Sequence, residues 1–274
     1  MSAWNGPRIN GIPVLGFGTW PLKGKEAIEA ILNALEAGFR HIDTAQMYGN
    51  EAEVGEAMKA SGLARPDLYV VSKLSPDVLP ANMDAAIARS VETIGQGPID
   101  LMLMHWPTSN MAWFDAALQK LNEAQDQGLV KAIGVSNCNI ALMERAVQRS
   151  RHRILANQVE FHPLLDQQKL QQAAQKLGIV LEAYSPIARG GALQLPVVQE
   201  IAAAHGAGPA EVVLAWILAQ GVIPLPMTTK KANALSNMKA LGLRLTADEV
   251  RRISAARTKA GRMISPSGWS PEWD

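Results

Sequence analysis

The chain has 274 residues, 48% of them hydrophobic, and carries 26 Lys and Arg against 25 Asp and Glu. A net charge of +1 speaks against nucleic-acid and membrane-surface partners, which call for a strong basic excess. The single cysteine, Cys138, cannot make an intrachain disulfide, MSAWNGPRIN holds no apolar leader core, and no apolar run nears the roughly 18 residues of a spanning helix. A cytoplasmic protein is expected.

In chain order, the first predicted element is a hairpin. Arg8-Ile9 and Ile12-Pro13-Val14 flank Asn10-Gly11, the two-residue pair that suits a type I′ turn. Short apolar runs then recur at VLGFG (14–18), FRHID (39–43), LYVVS (68–72), IDLMLM (99–104), KAIGV (131–135), ILANQV (154–159), IVLEAY (179–184) and VIPL (222–225). Helix-period segments fall between most of them, at 25–38, 50–62, 82–95, 114–128, 139–150, 166–178 and 209–221. Several close on glycine, which fits the left-handed position after a helix.

Strands apolar on both faces and alternating with helices imply a parallel sheet. Eight such units fit a closed (β/α)8 TIM barrel, for which about 250 residues suffice. The expectation is one barrel domain over 1–274, with the hairpin of 1–13 capping its N-terminal end and a tail, 258–274, over the mouth. An open doubly wound sheet is the rival. Its G-x-G-x-x-G phosphate loop is not met, because Gly16-Phe17-Gly18-Thr19-Trp20-Pro21 has proline in place of the third glycine.

Chemistry in such barrels sits at the C-terminal strand ends. There the sequence puts Asp43, Lys73, His105, Ser136, Asn137, Gln158 and Tyr184, with Glu160 just beyond Gln158 and Tyr48 on the loop after Asp43. Singly, each has a plain reading: a turn or cap for Asp43, a solvated charge for Lys73, a structural imidazole for His105, a half-buried aromatic for Tyr48. Together they suit proton transfer. A phenol of reference pKa about 10 is a poor acid. A nearby ammonium is expected to lower that pKa, a carboxylate to hold the ammonium, and an imidazole to orient a carbonyl oxygen. Carbonyl reduction by hydride needs such a set.

The stretches GFGTW (16–20), FRHIDTAQMYGNEAEVG (39–55), VVSKL (70–74), IDLMLMHWP (99–107), LVKAIGVSN (129–137), NQVEFHP (157–163) and LEAYSPIA (181–188) resemble the aldo-keto reductase superfamily over essentially the whole chain. The closing RMISPSGWSPEWD (262–274) looks most like the bacterial 2,5-diketo-D-gluconate reductase B and methylglyoxal reductase group. The resemblance implies Tyr48 as general acid, Lys73 and Asp43 as its tuning pair, and His105 as the group orienting the substrate. It also implies a nicotinamide cofactor. Ser136, Asn137 and Gln158 would hold its carboxamide, Tyr184 would stack on its ring, and Ser185, Pro186, Ile187 and Ala188 would line its pyrophosphate. Gly18, Thr19 and Trp20 would form the adjoining wall.

The family commonly follows its last strand with Pro-Lys-Ser and then an arginine, which grip the NADPH 2′-phosphate. Here Met227 stands for the lysine and Asn233 for the arginine. Thr228, Thr229 and Lys230 remain for that phosphate, with Asn233 and Asn237 on the helix behind. NADPH is expected ahead of NADH. Read alone, Lys230-Lys231 are a solvated helix start, although cations there oppose the helix dipole. The substrate pocket is expected to use Trp20, Met47, Trp106 and Trp269, with Trp273 as a second candidate lid. Only Arg189 and tail residues such as Arg262 stand out to meet a substrate carboxylate. Cys138 reads as a small buried filler.

Three other functions fit less well. A metal-dependent barrel hydrolase would need His41, Asp43, His105, His162 and His205 to converge, yet His205 sits at a helix end, well away. A serine hydrolase would need G-x-S-x-G, and Ser136 lies in GVSNC. A non-catalytic cofactor-binding regulator of the same fold lacks a reason to keep all four of Asp43, Tyr48, Lys73 and His105. The expectation is a monomeric reductase of small carbonyl compounds, without nucleic-acid or membrane partners.

Overall fold

Residues 5–274 are described by a computed structural model of the chain. The hairpin forms from β1 (Arg8–Ile9) and β2 (Ile12–Pro13), paired antiparallel. Asn10 and Gly11 turn it at φ 49° and 87°, the left-handed pair that a type I′ turn requires. Residues 1–4 of the predicted hairpin segment lie outside the described residues.

The eight apolar runs form one sheet: β3 (Gly16–Gly18), β4 (His41–Asp43), β5 (Tyr69–Leu74), β6 (Leu101–Met104), β7 (Ile133–Ser136), β8 (Ile154–Glu160), β9 (Val180–Tyr184) and β10 (Ile223–Pro224). Each pairs in parallel with the next in chain order. The Gly18 amide donates to Pro226 O at 3.1 Å, which brings the first and last strands together into a barrel. Gly16 permits the approach, since a Cβ there would lie 2.4 Å from the Leu225 side chain and 2.8 Å from the His41 ring.

Strand alternation sorts the side chains. Val71, Leu101, Leu103, Ala156, Val180, Ile223 and Leu225 pack together inside the barrel, and Ile12 of the hairpin joins them, fully buried. Ile42, Val70, Met102, Met104, Ile133 and Val135 point outward into the larger core beneath the helices. In the same alternation His41, Asp43 and Lys73 share the inward parity while Ser72 faces out, where it bonds Glu51.

The seven predicted helices appear as α1 (Gly24–Ala37), α2 (Glu51–Ala60), α3 (Met83–Ile94), α4 (Met111–Asp126), α5 (Ile140–Arg149), α6 (Gln168–Leu177) and α8 (Pro209–Ala219). Gly38, Gly95 and Gly178 close α1, α3 and α6 at positive φ. Three further helices are α7 (Pro196–His205), α9 (Lys231–Lys239) and α10 (Ala247–Ser254). Of these, α7 and α10 stand outside the strand–helix alternation, and His205 joins them through Glu249 at 2.7 Å. Among the described residues no single helix is long and apolar enough to cross a membrane; α7 and α8 pass together by composition, but they are bent by 98°.

Candidate active site

At the mouth, the ends of β4 and β5 lie side by side, with Asp43 level with Val71 in the register. Two residues further along β5, Lys73 extends inward and is fully buried. Its Nζ donates to Asp43 Oδ1 at 2.7 Å, to Thr44 O at 2.8 Å and to Tyr48 OH at 3.3 Å. An unpaired ammonium could not be kept there; here three oxygens surround it. Asp43 Oδ2 accepts from Gln158 Nε2 at 2.7 Å, and the same nitrogen lies 3.1 Å from Glu182 Oε2. The Tyr48 ring meets His105 edge-on, with centroids 5.5 Å apart, and Trp20 at 5.3 Å.

Tyr48 sits in a single 3-10 turn, Gln46–Tyr48, held by polar anchors. Gln46 Oε1 accepts from Ser75 N at 2.9 Å, and its Nε2 donates to Ala86 O and to Ser90 Oγ. Asn50, fully buried, accepts from Thr44 Oγ1 at 2.6 Å and donates to Thr19 O and Leu22 O. Thr19 Oγ1 in turn donates to Asp43 O at 2.9 Å. Lys23 Nζ caps Tyr48 O. Apart from Thr19, expected as cavity wall, these anchors were not singled out in the sequence. The signal was available in Asn50 and Glu51, polar residues opening a helix directly after the strand-end acid.

Burial lowers the affinity of the Lys73 amine for its proton, but Asp43 and Tyr48 reverse this, and the net shift is upward. Lys73 is a cation. Burial, with Lys73 acting in the same direction, holds the His105 imidazole well below its usual range, so it is neutral. One expectation is corrected. Burial raises the Tyr48 pKa, Lys73 pulls it down, Asp43 pushes it up again, and the net direction is upward rather than downward. The resting phenol is therefore fully protonated, and the ammonium beside it favours proton loss only as an acceptor becomes basic.

Over this cluster opens a cavity of about 890 Å³. Its wall includes Asp43, Tyr48 and His105, and the predicted contacts Gly18, Trp20, Met47, Trp106, Ser136, Asn137, Gln158, Tyr184, Ser185, Pro186 and Ile187. Tyr184 OH donates to Asn137 Oδ1 at 2.8 Å, and Asn137 Nδ2 donates to His105 O at 2.9 Å and to Ser136 Oγ at 3.0 Å. Asn137, Ser185, Ala188 and Arg189 all hold positive φ, near 50–60°, and such strain in residues other than glycine clusters at functional sites.

Other predicted residues fall elsewhere. Thr19 and Ala188 are buried behind the wall. Thr228, Thr229, Lys230, Asn233 and Asn237 lie outside the cavity lining, around the start of α9, where Thr228 Oγ1 accepts from Lys230 N and Asn233 Nδ2. Lys231 pairs with Glu36 at 2.6 Å. Trp269 does not line the cavity; the tail reaches it through Met263, Ile264, Ser265 and Pro266. Trp273 instead stacks on Arg262, 3.5 Å from guanidinium carbon to ring centroid. Burial pushes the Cys138 thiol pKa up, consistent with an inert filler. Among the described residues no three His, Cys, Asp or Glu side chains come together as metal ligands.

The mouth of the barrel thus gathers a buried lysine–aspartate pair under a tyrosine and a neutral histidine. The aldo/keto reductase family profile matches residues 14–258. The methylglyoxal reductase DkgB of Escherichia coli O157:H7 is 39% identical over 266 residues, covering 96% of this chain and 99% of that one. An aldo-keto reductase of Mycolicibacterium smegmatis is 36% identical, covering 95% and 96%. A crystal structure assigned as a 2,5-diketo-D-gluconic acid reductase B superposes with TM-score 0.93 at 39% identity, covering 96% and 94%. The Bombyx mori aldo-keto reductase in complex with NADP gives 0.89 at 31%, covering 97% of each chain. The chain belongs to the aldo/keto reductase family, and it is an oxidoreductase that works with a nicotinamide cofactor.

Proposed function

We propose that the protein reduces the carbonyl of small aldehydes and α-ketoaldehydes to the alcohol, with NADPH as reductant and Tyr48 as the proton donor. The observation that carries the reading is Lys73 Nζ, held at once by Asp43 and the Tyr48 hydroxyl at the floor of the cavity. The cavity fits the cofactor. Gln158 uses its amide nitrogen on two carboxylates, which leaves Oε1 to accept from a carboxamide. Tyr184 offers a ring face fixed through Asn137. When bound, the reduced nicotinamide supplies the hydride.

The neutral His105 donates a ring N–H to the substrate carbonyl oxygen and orients it. As negative charge grows on that oxygen, Tyr48 passes its proton across, and Lys73 stabilises the phenolate left behind. Asp43 and Thr44 O hold the ammonium in place throughout. General acid catalysis of this kind is worth about 10²–10⁴ in rate.

The apolar side chains lining the cavity include Trp20, Met47, Trp106, Met227, Met263 and Ile264, and among its described lining residues Arg189 is the one cation. A largely apolar lining with one cation suits short aldehydes and α-ketoaldehydes better than sugar acids. Thr228, Thr229 and Lys230 are the donors proposed for the 2′-phosphate, where a charge-assisted contact is the strong kind. The test is steady-state NADPH and NADH oxidation with methylglyoxal, a nitrobenzaldehyde and a keto-acid. The expected order of kcat/KM places both aldehydes above the keto-acid and NADPH above NADH. No turnover of any carbonyl with either cofactor would defeat the reading.

A further inference from the structure

One buried charge near the mouth takes no part in the proton transfer above. Glu160 ends β8 and is fully buried. Its Oε1 accepts from Met263 N at 2.8 Å and its Oε2 from Ile264 N at 2.9 Å, across more than a hundred residues of chain. His162, equally buried, places Nε2 2.9 Å from the same Oε1. Gln167 Nε2 bonds the Glu160 carbonyl at 2.9 Å.

The two captured amides begin the stretch of tail that forms cavity wall, Met263 to Pro266. Upstream, Thr258 bonds Leu164 O and Asp166 N, and Gly261 is pressed so close that a Cβ would lie 1.9 Å from Leu164 O. Downstream, Asn139 Nδ2 bonds Glu272 O at 2.8 Å and Ile140 N bonds Asp274 Oδ2 at 3.0 Å. Trp273 Nε1 donates to Ser265 Oγ at 3.1 Å. The outer contacts are exposed to water. The Glu160 pair differs: its acceptor is a fully buried side chain, the two amides it takes are part-buried, and hydrogen bonds to a charged acceptor are the stronger kind.

We propose that Glu160 is a positioning residue for substrate: by capturing the amides of Met263 and Ile264, its carboxylate fixes the tail segment that completes the pocket wall, and so governs substrate affinity rather than proton transfer. The proposal rests on the carbonyl-reductase reading for its kinetic half, while its structural half stands alone. Glutamine at 160 keeps the size but offers one acceptor oxygen and sets an N–H against one of the two tail amides.

The experiment compares Glu160→Gln, Met263→Pro, which removes one donor, Met263→Ala, which keeps it, and the double variant Glu160→Gln with Met263→Pro. Amide hydrogen exchange over residues 262–266 and KM and kcat for methylglyoxal with NADPH are read together. Expected in Glu160→Gln are tail exchange and KM each raised about tenfold with kcat unchanged; Met263→Pro should show the same rise in tail exchange and in KM when referred to Met263→Ala, and the double variant should be no worse than the weaker single. Met263→Ala should leave tail exchange as in the wild type. If Glu160→Gln does not fold, Met263→Pro against Met263→Ala decides on the same readouts. Tail exchange that stays slow in both folded variants overturns the proposal, as does a loosened tail with unchanged KM. Inactivity of the wild type towards every carbonyl would strike the reductase reading instead and leave the exchange result to judge the tail contact.

Discussion

Lys73 shows how far single-residue logic carries. A buried ammonium is expensive unless its partners are already in place, and Asp43 Oδ1, Thr44 O and Tyr48 OH supply them. At Lys230 the opposite holds. Its backbone is fixed by Thr228 Oγ1, while its side chain is exposed at the start of α9, where a cation is disfavoured by the helix dipole unless an anion arrives. Lys230→Ala should therefore weaken NADPH by about tenfold and leave NADH nearly untouched, as cofactor titration by fluorescence would show; equal weakening of both would remove the phosphate role. Asp43, Lys73 and His105 were legible because residues ending consecutive parallel strands must gather at one end of a barrel. Glu182 was visible only as a charge inside an otherwise apolar strand. Its partner, Gln158, follows from the β8–β9 register, which sequence alone does not give.

At the scale of elements, the eight strands were readable because both faces of each are buried. Two helices outside the alternation were harder to see. In α10 only Ile253 is buried, so its apolar signal is faint, although Thr246 and Glu249 form a capping box whose spacing stands in the sequence. In α7 the mark was Pro196 at the first turn. Close approach between helices left no pattern at all. Gly55 of α2 lies against the end of α3, where a Cβ would sit 2.0 Å from Ile94 O. Gly55→Ala must push α2 and α3 apart and should cost about 1–3 kcal/mol, read as a lowered denaturation midpoint in urea; an unchanged midpoint would mean the two helices yield freely. Because α2 begins beside Tyr48, the same variant should also lower turnover.

Across the whole molecule, the barrel interior stores two oppositely perturbed groups. Burial drives His41 down to about 4, and burial with Asp43 drives Glu182 up to about 7; the two side chains stand 3.8 Å apart, both fully buried. For His41 the folded value lies below the ordinary 6.5, so its neutral form stabilises the fold above pH 6.5 and that contribution is lost as pH falls towards 4. For Glu182 the folded value lies above the ordinary 4.5. No penalty exists below pH 4.5, and the penalty is complete above pH 7, at about 3 kcal/mol. Glu182→Gln keeps an oxygen for Gln158 and removes that penalty. Its thermal midpoint should exceed the wild type's clearly at pH 8 and hardly at pH 5. The same advantage at both pH values would show that Glu182 is not held protonated by the fold.

The central claim is that Tyr48 hands over the proton, with Lys73 stabilising the phenolate it leaves. Rapid-mixing measurement of NADPH oxidation by Tyr48→Phe, beside the dissociation constant for NADPH, tests it most directly. The account predicts an unchanged dissociation constant and a transfer rate lowered by about 10²–10⁴. A transfer rate near that of the wild type would contradict it.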